Sequence, residues 1–531
     1  MVLSSGYGQH QLHQWSRQAI QHQKKRSTSL EDTTSVHIPA YGTATRSKAN
    51  PKIPDPGLFD FKPEASENDN TRLPSVAECA AHLELLEAFH HIYLKVSSST
   101  ALDNVLGIKP KKRTVYRKKY LGYRRGHSRE EVKLRDTTFQ ERRKAKWPLY
   151  LTLAATRFLA WAEVAEKELE GLIPSKDSSL HLPPIDVLMV WHSLLLNPRW
   201  FRSFEGRPLK NLYAAPFPWK EIHKAIDADK MNFPYNLPTE AIVWFLEKTG
   251  LEPNLFEALI AKGNKSTKVQ QLLERHGASG HHNTSQQGLA VEDIDAVLRA
   301  PGNLDRLEIR FLKCCRDAIS KNSTGIKLVE AVQRQASFVE KMDKQLWIRS
   351  PAIEGTLSRA IDRYSKFLKL FKLYPNTMLV PTLDIDLVWH THQCSPSRYE
   401  AGTVMMAGRL IDHDDKIGAG ILNSGFTRTK DLYRIRFGQE YQVCNCWDCE
   451  ALLSAISTQN SGTQPDKREI ARYVHENVAY HRTVEIVRRK RHTQPPIRIQ
   501  KLQGTDLSFV TPGRAVQERK HHEFKRAIDG R

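Results

Sequence analysis

The sequence predicts a mainly α-helical protein, in which two related helical modules are joined by a linker and flanked by disordered termini. Three observations support this prediction: apolar residues recur at three- and four-residue spacing, regular apolar–polar alternation is scarce, and one motif occurs twice. The two copies of the motif surround Trp191 and Trp389, which are 198 positions apart. Because an internal repeat defines the unit of architecture, the duplication predicts two copies of one module.

The composition is that of a multidomain protein with long polar stretches. Of its 531 residues, 40% are apolar and 26% are charged. No apolar run reaches about 18 residues, so we expect no membrane span. The seven cysteines are few and odd in number, which favours a reducing compartment, the nucleus or the cytoplasm. The net charge of +21 favours an acidic partner, nucleic acid or an anionic membrane surface.

Composition and periodicity divide the chain into five segments. Apolar residues at helical spacing predict helices over residues 75–95, 147–172, 291–319, 324–347 and 355–373. Polar stretches without such periodicity are typical of linkers and disordered termini. The predicted segments are a disordered region at 1–72, a first helical module at 73–262 with a basic insert at 109–127, a linker at 263–289, a second helical module at 290–500 with a Cys-rich segment at 444–449, and a basic tail at 501–531.

The repeated motif predicts a helix, a tight corner and a second helix. An aspartate follows a proline-containing loop in each copy, which is the position of a helix N-cap. The corner is predicted where Asn or Ser precedes a proline, since proline is favoured at the first position of a helix. The tryptophan is predicted to be a buried anchor. The shared positions are Asp186, Trp191, His192 and Pro198 in the first copy and Asp384, Trp389, His390 and Pro396 in the second.

The histidine after each tryptophan has two interpretations, a buried structural histidine or a metal ligand. The second copy continues to His392, and on a helix the rings of His390 and His392 diverge by about 200°, which argues against simple chelation. The first copy has Leu188 and Leu194 where the second has Asp386 and His392. Any chemistry of the motif is therefore expected in the second copy alone.

Residues in and after the second copy could together form a metal centre. His390 or His392, together with His413 and Asp415, would supply two imidazoles and one carboxylate, the ligand set of non-heme iron(II) enzymes. Such oxygenases usually carry the triad on the strands of a jelly roll, and the sequence of this region does not indicate strands. The metal-dependent enzyme, using iron or zinc, is therefore the second hypothesis rather than the first.

Three thiols lie within six residues at Cys444, Cys446 and Cys449. They could bind zinc if a fourth ligand, such as His475 or His481, came from elsewhere. The alternative interpretation is three reduced thiols at the start of a helix. No other cofactor is predicted.

A basic tract without acidic residues extends from residue 109 to 125. Its form is typical of a nuclear import signal, and interleaved tyrosines could stack on bases. The alternative is a solvated loop without a specific partner. The residues that would carry the signal or the nucleic-acid contact are Lys111, Lys112, Arg113, Arg117, Lys118 and Lys119.

The segments Leu182–His192 and Pro381–Gln393, with Pro396 and Tyr399, resemble the glycine-rich-domain-containing-protein-like family of plants and fungi. The resemblance covers about 145–450, and the Cys-Asn-Cys-Trp-Asp-Cys ending is similar to the fungal branch. Plant members imply roles in development and stress through RNA or protein contact. Their glycine-rich tail is absent from this sequence, and the resemblance implies no catalytic residue.

The leading hypothesis from sequence is a non-enzymatic helical interaction or scaffold protein that binds other proteins. It rests on a repeated structural corner without converging chemistry, and on the lack of Walker, Gly-x-Ser-x-Gly and His-Glu-x-x-His motifs. The alternatives are the metal-dependent enzyme centred on His390, His392 and His413, and an RNA-binding regulatory protein.

Overall fold

The predicted mainly α-helical class is confirmed. The structure is a computed structural model in which helices dominate, and none of the helices it describes is long and apolar enough to cross a membrane. The residues that it describes are 53–61, 71–111, 113–120, 127–134, 136–170, 180–204, 209–230, 232–265, 267–279, 290–300, 304–320, 323–413, 419–457 and 467–491.

The described residues of the first half form ten helices and one hairpin. Its elements are α1 Val76–Ser98, α2 Thr100–Val105, β1 Arg113–Tyr120, β2 His127–Leu134, α3 Phe139–Lys144, α4 Lys146–Glu170, α5 Ile185–Leu195, α6 Pro198–Arg202, α7 Lys210–Ala214, α8 Trp219–Ala225, α9 Thr239–Thr249 and α10 Leu255–Lys265.

The described residues of the second half form helices joined by loops, and no strand occurs among them. Its elements are α11 Thr267–Ser279, α12 Val291–Arg299, α13 Arg306–Ile319, α14 Ser323–Gln345, α15 Ile353–Leu373, α16 Leu383–Gln393, α17 Pro396–Ala407, α18 Ala419–Phe437, α19 Trp447–Ser457 and α20 Lys467–Arg491. Short 3₁₀ turns occur at Pro56–Phe59 and Trp347–Arg349.

The chain folds into two compact units whose limits differ from the predicted modules. The terminal unit comprises residues 1–90, 195–236 and 334–531, and the central unit comprises 91–194 and 237–333. The predicted modules at 73–262 and 290–500 do not coincide with these units. The reason is that residues 71–90 and 195–236 contact residues after 333. Periodicity along the chain does not reveal such long-range contacts.

The central unit is organised around α4. This helix packs against α9 and α13 and buries a stripe that includes Leu151, Ala154, Phe158 and Trp161. Residues 113–120 of the basic insert form β1, which pairs with β2 as an antiparallel hairpin, from Arg113 opposite Leu134 to Tyr120 opposite His127. No strand is predicted there from the sequence, because the exposed strands carry charged side chains instead of an apolar alternation.

The predicted linker at 263–289 is wrong over 267–279. These residues form α11, which packs against α10 and buries Val269, Leu272 and Leu273. Residues 280–289 lie outside the described part of the chain. The helix predicted over 291–319 is divided into α12 and α13, because Ala300, which precedes Pro301, adopts an extended backbone.

The terminal unit is organised around α15. This helix packs against α16, α17, α18 and α19, and it buries residues at helical spacing, among them Leu357, Ala360, Tyr364 and Phe367. Pro396 occupies the first turn of α17 after Ser395, as the corner of the motif predicts, although the Ser395 side chain makes no capping hydrogen bond.

Part of the predicted disordered region is ordered. Within 53–61 the ring of Phe59 stacks on His223 at 3.7 Å, and the carbonyl of Ile53 accepts a hydrogen bond from Arg349. These contacts explain why the prediction is wrong for this segment, since an aromatic side chain and a buried guanidinium hold it. The other residues of 1–72 that were predicted to be disordered, apart from 71 and 72, and the tail at 501–531 lie outside the described residues.

The motif aspartates are not N-caps. Thr382 is the N-cap of α16, and Asp384 lies inside the first turn with its Oδ2 2.6 Å from Nε of Arg363. The same guanidinium donates to the carbonyl of Tyr441 at 2.7 Å. Burial acts to lower the pKa of Arg363, but Asp384 outweighs it, and the pKa lies above its ordinary value. The carboxylate therefore serves a buried ion pair rather than the free backbone N–H groups.

The same local arrangement occurs in the central unit. Asp186 lies in the first turn of α5, with Oδ2 2.6 Å from Nε of Arg157 on α4. Arg157 also donates to the carbonyls of Glu252 at 2.8 Å and Pro253 at 3.1 Å. In both units an arginine of a long helix joins the motif helix to a later loop. Duplication of a whole module stays a prediction.

We expect Arg363→Met to lower the free energy of unfolding by about 3–5 kcal/mol, because it leaves the buried Asp384 carboxylate unpaired. Arg157→Met should act similarly in the central unit. Urea unfolding followed by circular dichroism measures the change. Lys344→Met is the control, since its ion pair with Glu340 is exposed and its loss should change the stability little. Equal effects of Arg363→Met and Lys344→Met would contradict the assigned role.

Candidate metal centre

Two of the converging side chains come from one face of α16. Asp386 and His390 are four residues apart on this helix and therefore lie one above the other. The His390 ring is almost fully buried and rests against Phe338, with ring centroids 4.3 Å apart. Helical spacing thus aligns a carboxylate with an imidazole whose orientation is held by an aromatic neighbour.

The third side chain, His413, is positioned beside α16 through contacts of the motif tryptophan, Trp389. The indole of Trp389 donates to the Tyr399 hydroxyl at 2.7 Å, and this hydroxyl donates to the carbonyl of Ile411 at 2.8 Å. Helix α17 ends at Gly408, whose φ of +79° lets the chain reverse. The ring of His413 then stands edge-on to Trp389 at 5.0 Å. The anchor residues of the motif therefore place a histidine that follows the motif.

Three ligand atoms converge at this place. Nε2 of His390 is 3.2 Å from Nε2 of His413, and Oδ1 of Asp386 is 3.4 Å and 3.5 Å from these two nitrogens. The carboxylate distances exceed those of ordinary N–H···O hydrogen bonds, which are about 2.7–3.2 Å. Ligands of a tetrahedral ion with bonds of about 2.1 Å lie about 3.4 Å apart. The spacing therefore fits ligands around a common ion, although the two Nε2 atoms also lie within hydrogen-bond distance of each other.

The carboxylate is ionised in this setting. Burial acts to raise the pKa of Asp386, but His390, His413 and Lys341 outweigh it, so the pKa lies below its ordinary value. Its Oδ1 is buried and accepts no hydrogen bond from the described residues, although it faces both imidazoles. A negative oxygen beside two aromatic nitrogens is suited to a divalent cation.

His392 points away from this group, as its position on a helix predicts. Its Nδ1 is 3.0 Å from the Tyr364 hydroxyl, and its ring stands edge-on to Tyr399. Burial lowers its pKa to about 3, so the ring is neutral. Gly402 makes room for it, since a Cβ there would lie 2.9 Å from Cε1 of His392. The structure therefore separates His392 from His390 and His413.

Among the described residues, the carboxylate of the group is Asp386. Asp415, the carboxylate predicted from the sequence, lies outside the described residues and stays a prediction. The sequence indicates Asp386 through its contrast with the first copy. There Leu188 stands at the equivalent position, so the buried His192 has no aspartate four residues before it on the helix. The triad among the described residues therefore belongs to the second copy.

The three cysteines also converge. The Sγ atoms of Cys444, Cys446 and Cys449 all lie within 4.8 Å of one another. His481, one of the predicted fourth ligands, donates through Nδ1 to the carbonyl of Asn477 at 2.9 Å, and burial lowers its pKa to about 4. Neither His475 nor His481 belongs to the converging group among the described residues.

The basic tract lies on the hairpin of the central unit. Arg117, Lys118 and Lys119 are exposed on β1, and Arg113 begins that strand. The backbone N–H of Lys111 donates to Asp136 at 2.7 Å. Lys112 lies outside the described residues. The structure thus presents this tract on a two-stranded ribbon.

Comparison with known proteins identifies part of the chain. Residues 300–401 match the family described as glycine-rich domain-containing protein-like. Glycine-rich domain-containing protein 1 of Arabidopsis thaliana is 33% identical over 147 residues, which are 26% of this chain and 17% of that protein. Glycine-rich domain-containing protein 2 of Arabidopsis thaliana is 32% identical over 126 residues, 22% of this chain and 16% of that protein. The match thus spans less than a fifth of either relative. No solved structure matches the chain.

We expect Tyr399→Phe to lower the stability of the terminal unit by about 1–3 kcal/mol. The change leaves the buried indole N–H of Trp389 and the carbonyl of Ile411 without their hydroxyl partner. Thermal unfolding of the full chain checks this, with the exposed Tyr116→Phe as the matched control. An unchanged unfolding midpoint for Tyr399→Phe would show that the hydroxyl does not hold the His413 segment.

Proposed function

We propose that this chain, which carries a glycine-rich domain-containing-protein-like domain at 300–401, binds one divalent transition-metal ion through Asp386, His390 and His413. The observation that carries the proposal is the mutual distance of 3.2–3.5 Å between the two Nε2 atoms and Oδ1. Asp386 and His390 lie inside the matched domain, and His413 follows it.

The ligand set favours a metal-dependent enzyme. Two imidazoles and one carboxylate suit iron(II) and zinc(II), and they leave coordination positions for water or a substrate. The side chains of Asp386 and His413 keep 21% and 13% of their surface exposed, which gives an ion access from solvent. The scaffold hypothesis remains compatible with the helical architecture, but it supplies no reason for an ionised carboxylate to face one buried and one partly buried imidazole.

The metal content of purified variants tests this proposal. We expect Asp386→Asn and His413→Ala each to weaken iron(II) or zinc(II) binding more than about tenfold, because each removes one of three protein ligands. Affinity is measured by competition with a chromophoric chelator, and stoichiometry by mass spectrometry of the metal.

Asp412→Asn is the matched control for this experiment. Asp412 is adjacent to His413, but its carboxylate is partly exposed and lies 3.7 Å from Arg199 rather than in the triad. It should retain the affinity of the unsubstituted chain. Unchanged metal binding in Asp386→Asn and His413→Ala would refute the assigned centre.

A second function, contact with single-stranded RNA, is favoured by the shape and charge of the hairpin. Directly opposed residues share a face of an antiparallel ribbon, so Lys118 and Arg129 lie on the face that carries Tyr116. The Tyr116 ring is 66% exposed and can stack on a base. Glu131 stands opposite Tyr116 on this face, and on the other face Lys119 pairs with Glu130 at 3.6 Å, so each face carries one carboxylate. Nuclear import through the same tract is the competing proposal.

Replacing the charges of one face at a time tests RNA contact. Lys118→Gln with Arg129→Gln should weaken binding of an unstructured RNA and reduce the slope of log affinity against log salt by about 1.4. Arg117→Gln with Lys119→Gln removes the same charge from the opposite face and should have the smaller effect. Equal losses in both variants, measured by fluorescence anisotropy, would contradict a face-specific contact.

A further inference from the structure

We propose that Cys444, Cys446 and Cys449 form a second metal site, which holds one zinc(II) ion through three thiolates. The fourth coordination position is left to water or to a ligand brought by another molecule. The three Sγ atoms already lie within 4.8 Å of one another, and all three residues are unbridged cysteines. Sulfur ligands of a tetrahedral zinc ion with bonds of about 2.3 Å lie less than about 4 Å apart, so a small side-chain movement suffices.

Two tryptophans hold the backbone of this segment by a reciprocal exchange. The indole of Trp347 donates to the carbonyl of Asn445 at 2.9 Å, and the indole of Trp447 donates to the carbonyl of Gln345 at 2.9 Å. Each indole thus donates to the carbonyl of the residue two positions before the other tryptophan. Because Asn445 lies between Cys444 and Cys446, the exchange fixes the loop that carries the sulfurs before any ion binds.

The sulfurs lie at the amino end of a helix of eleven residues. Cys446 immediately precedes α19 and its carbonyl accepts from the N–H of Glu450, while Cys449 lies in the first turn. The dipole at this end of the helix favours negative charge. The helix therefore supports thiolates at two of the three positions, in addition to the convergence of the sulfurs.

A cation resolves the electrostatic conflict among the three thiols. Three adjacent thiolates cannot coexist at neutral pH without a positive charge between them. Zinc supplies that charge and displaces the thiol protons.

The surroundings favour an all-sulfur set. Asp448, the carboxylate between Cys446 and Cys449 in sequence, forms an ion pair with Arg482, whose guanidinium lies 5.9 Å from the centre of the Trp447 ring. Its oxygens are thus occupied by Arg482. Thiolates alone select zinc or another thiophilic ion over magnesium or calcium.

Cobalt(II) substitution in the reduced full-length chain tests the site. A thiolate-to-cobalt charge-transfer band is expected in the unsubstituted chain and in His390→Ala, because the triad of the first centre contains no sulfur. The double variant Cys444→Ser with Cys446→Ser should lose the band and one equivalent of tightly bound zinc. Both side chains are half-buried, so the variant is expected to fold, and circular dichroism checks this.

Cys314→Ala, a buried cysteine of the central unit, is the control that should keep the band. Absence of the band in the unsubstituted chain, or its persistence in the double variant, overturns the proposal. Failure of the proposed Asp386 centre gives a different result. The thiolate band would remain, and His390→Ala would not change the metal stoichiometry.

Discussion

The buried ion pair between Arg363 and Asp384 is the constraint on which the terminal unit depends. It fixes the first turn of α16, and Asp386 and His390 follow on that helix at a spacing that brings their side chains together. The same guanidinium holds the carbonyl of Tyr441, three residues before Cys444. One side chain of α15 therefore sets the starting point of both proposed metal sites. Their positions are coupled through the fold rather than through direct contact.

The corresponding pair in the central unit separates architecture from chemistry. Arg157 and Asp186 repeat the geometry, but Leu188 replaces the aspartate that faces the imidazoles in the terminal unit. A buried ion pair is costly to desolvate, and it is tolerated here because the guanidinium also donates to two carbonyls. The shared residues of the motif thus build a helix and its anchor, while the proposed metal site also depends on Asp386, where the first copy has Leu188.

Local physical signals made part of this structure predictable. Helical spacing predicted α1, α4, α14 and α15 within a few residues, and the proline corner predicted the start of α17. The divergence of His390 and His392 followed from the 100° turn per residue. The role of Asp384 was predicted wrongly, because an aspartate before an apolar run looks the same whether it caps a helix or meets an arginine from another helix.

What the sequence by itself determined is therefore the helical class, the anchors of the motif and the copy in which chemistry is expected. These follow from interactions between residues a few positions apart. Only the tertiary structure decided that His413, rather than His392, meets His390, and that Asp386 is the carboxylate beside them among the described residues. The reason is that Tyr399 and Trp389 fold a distant segment back onto α16 through hydrogen bonds that no local spacing encodes.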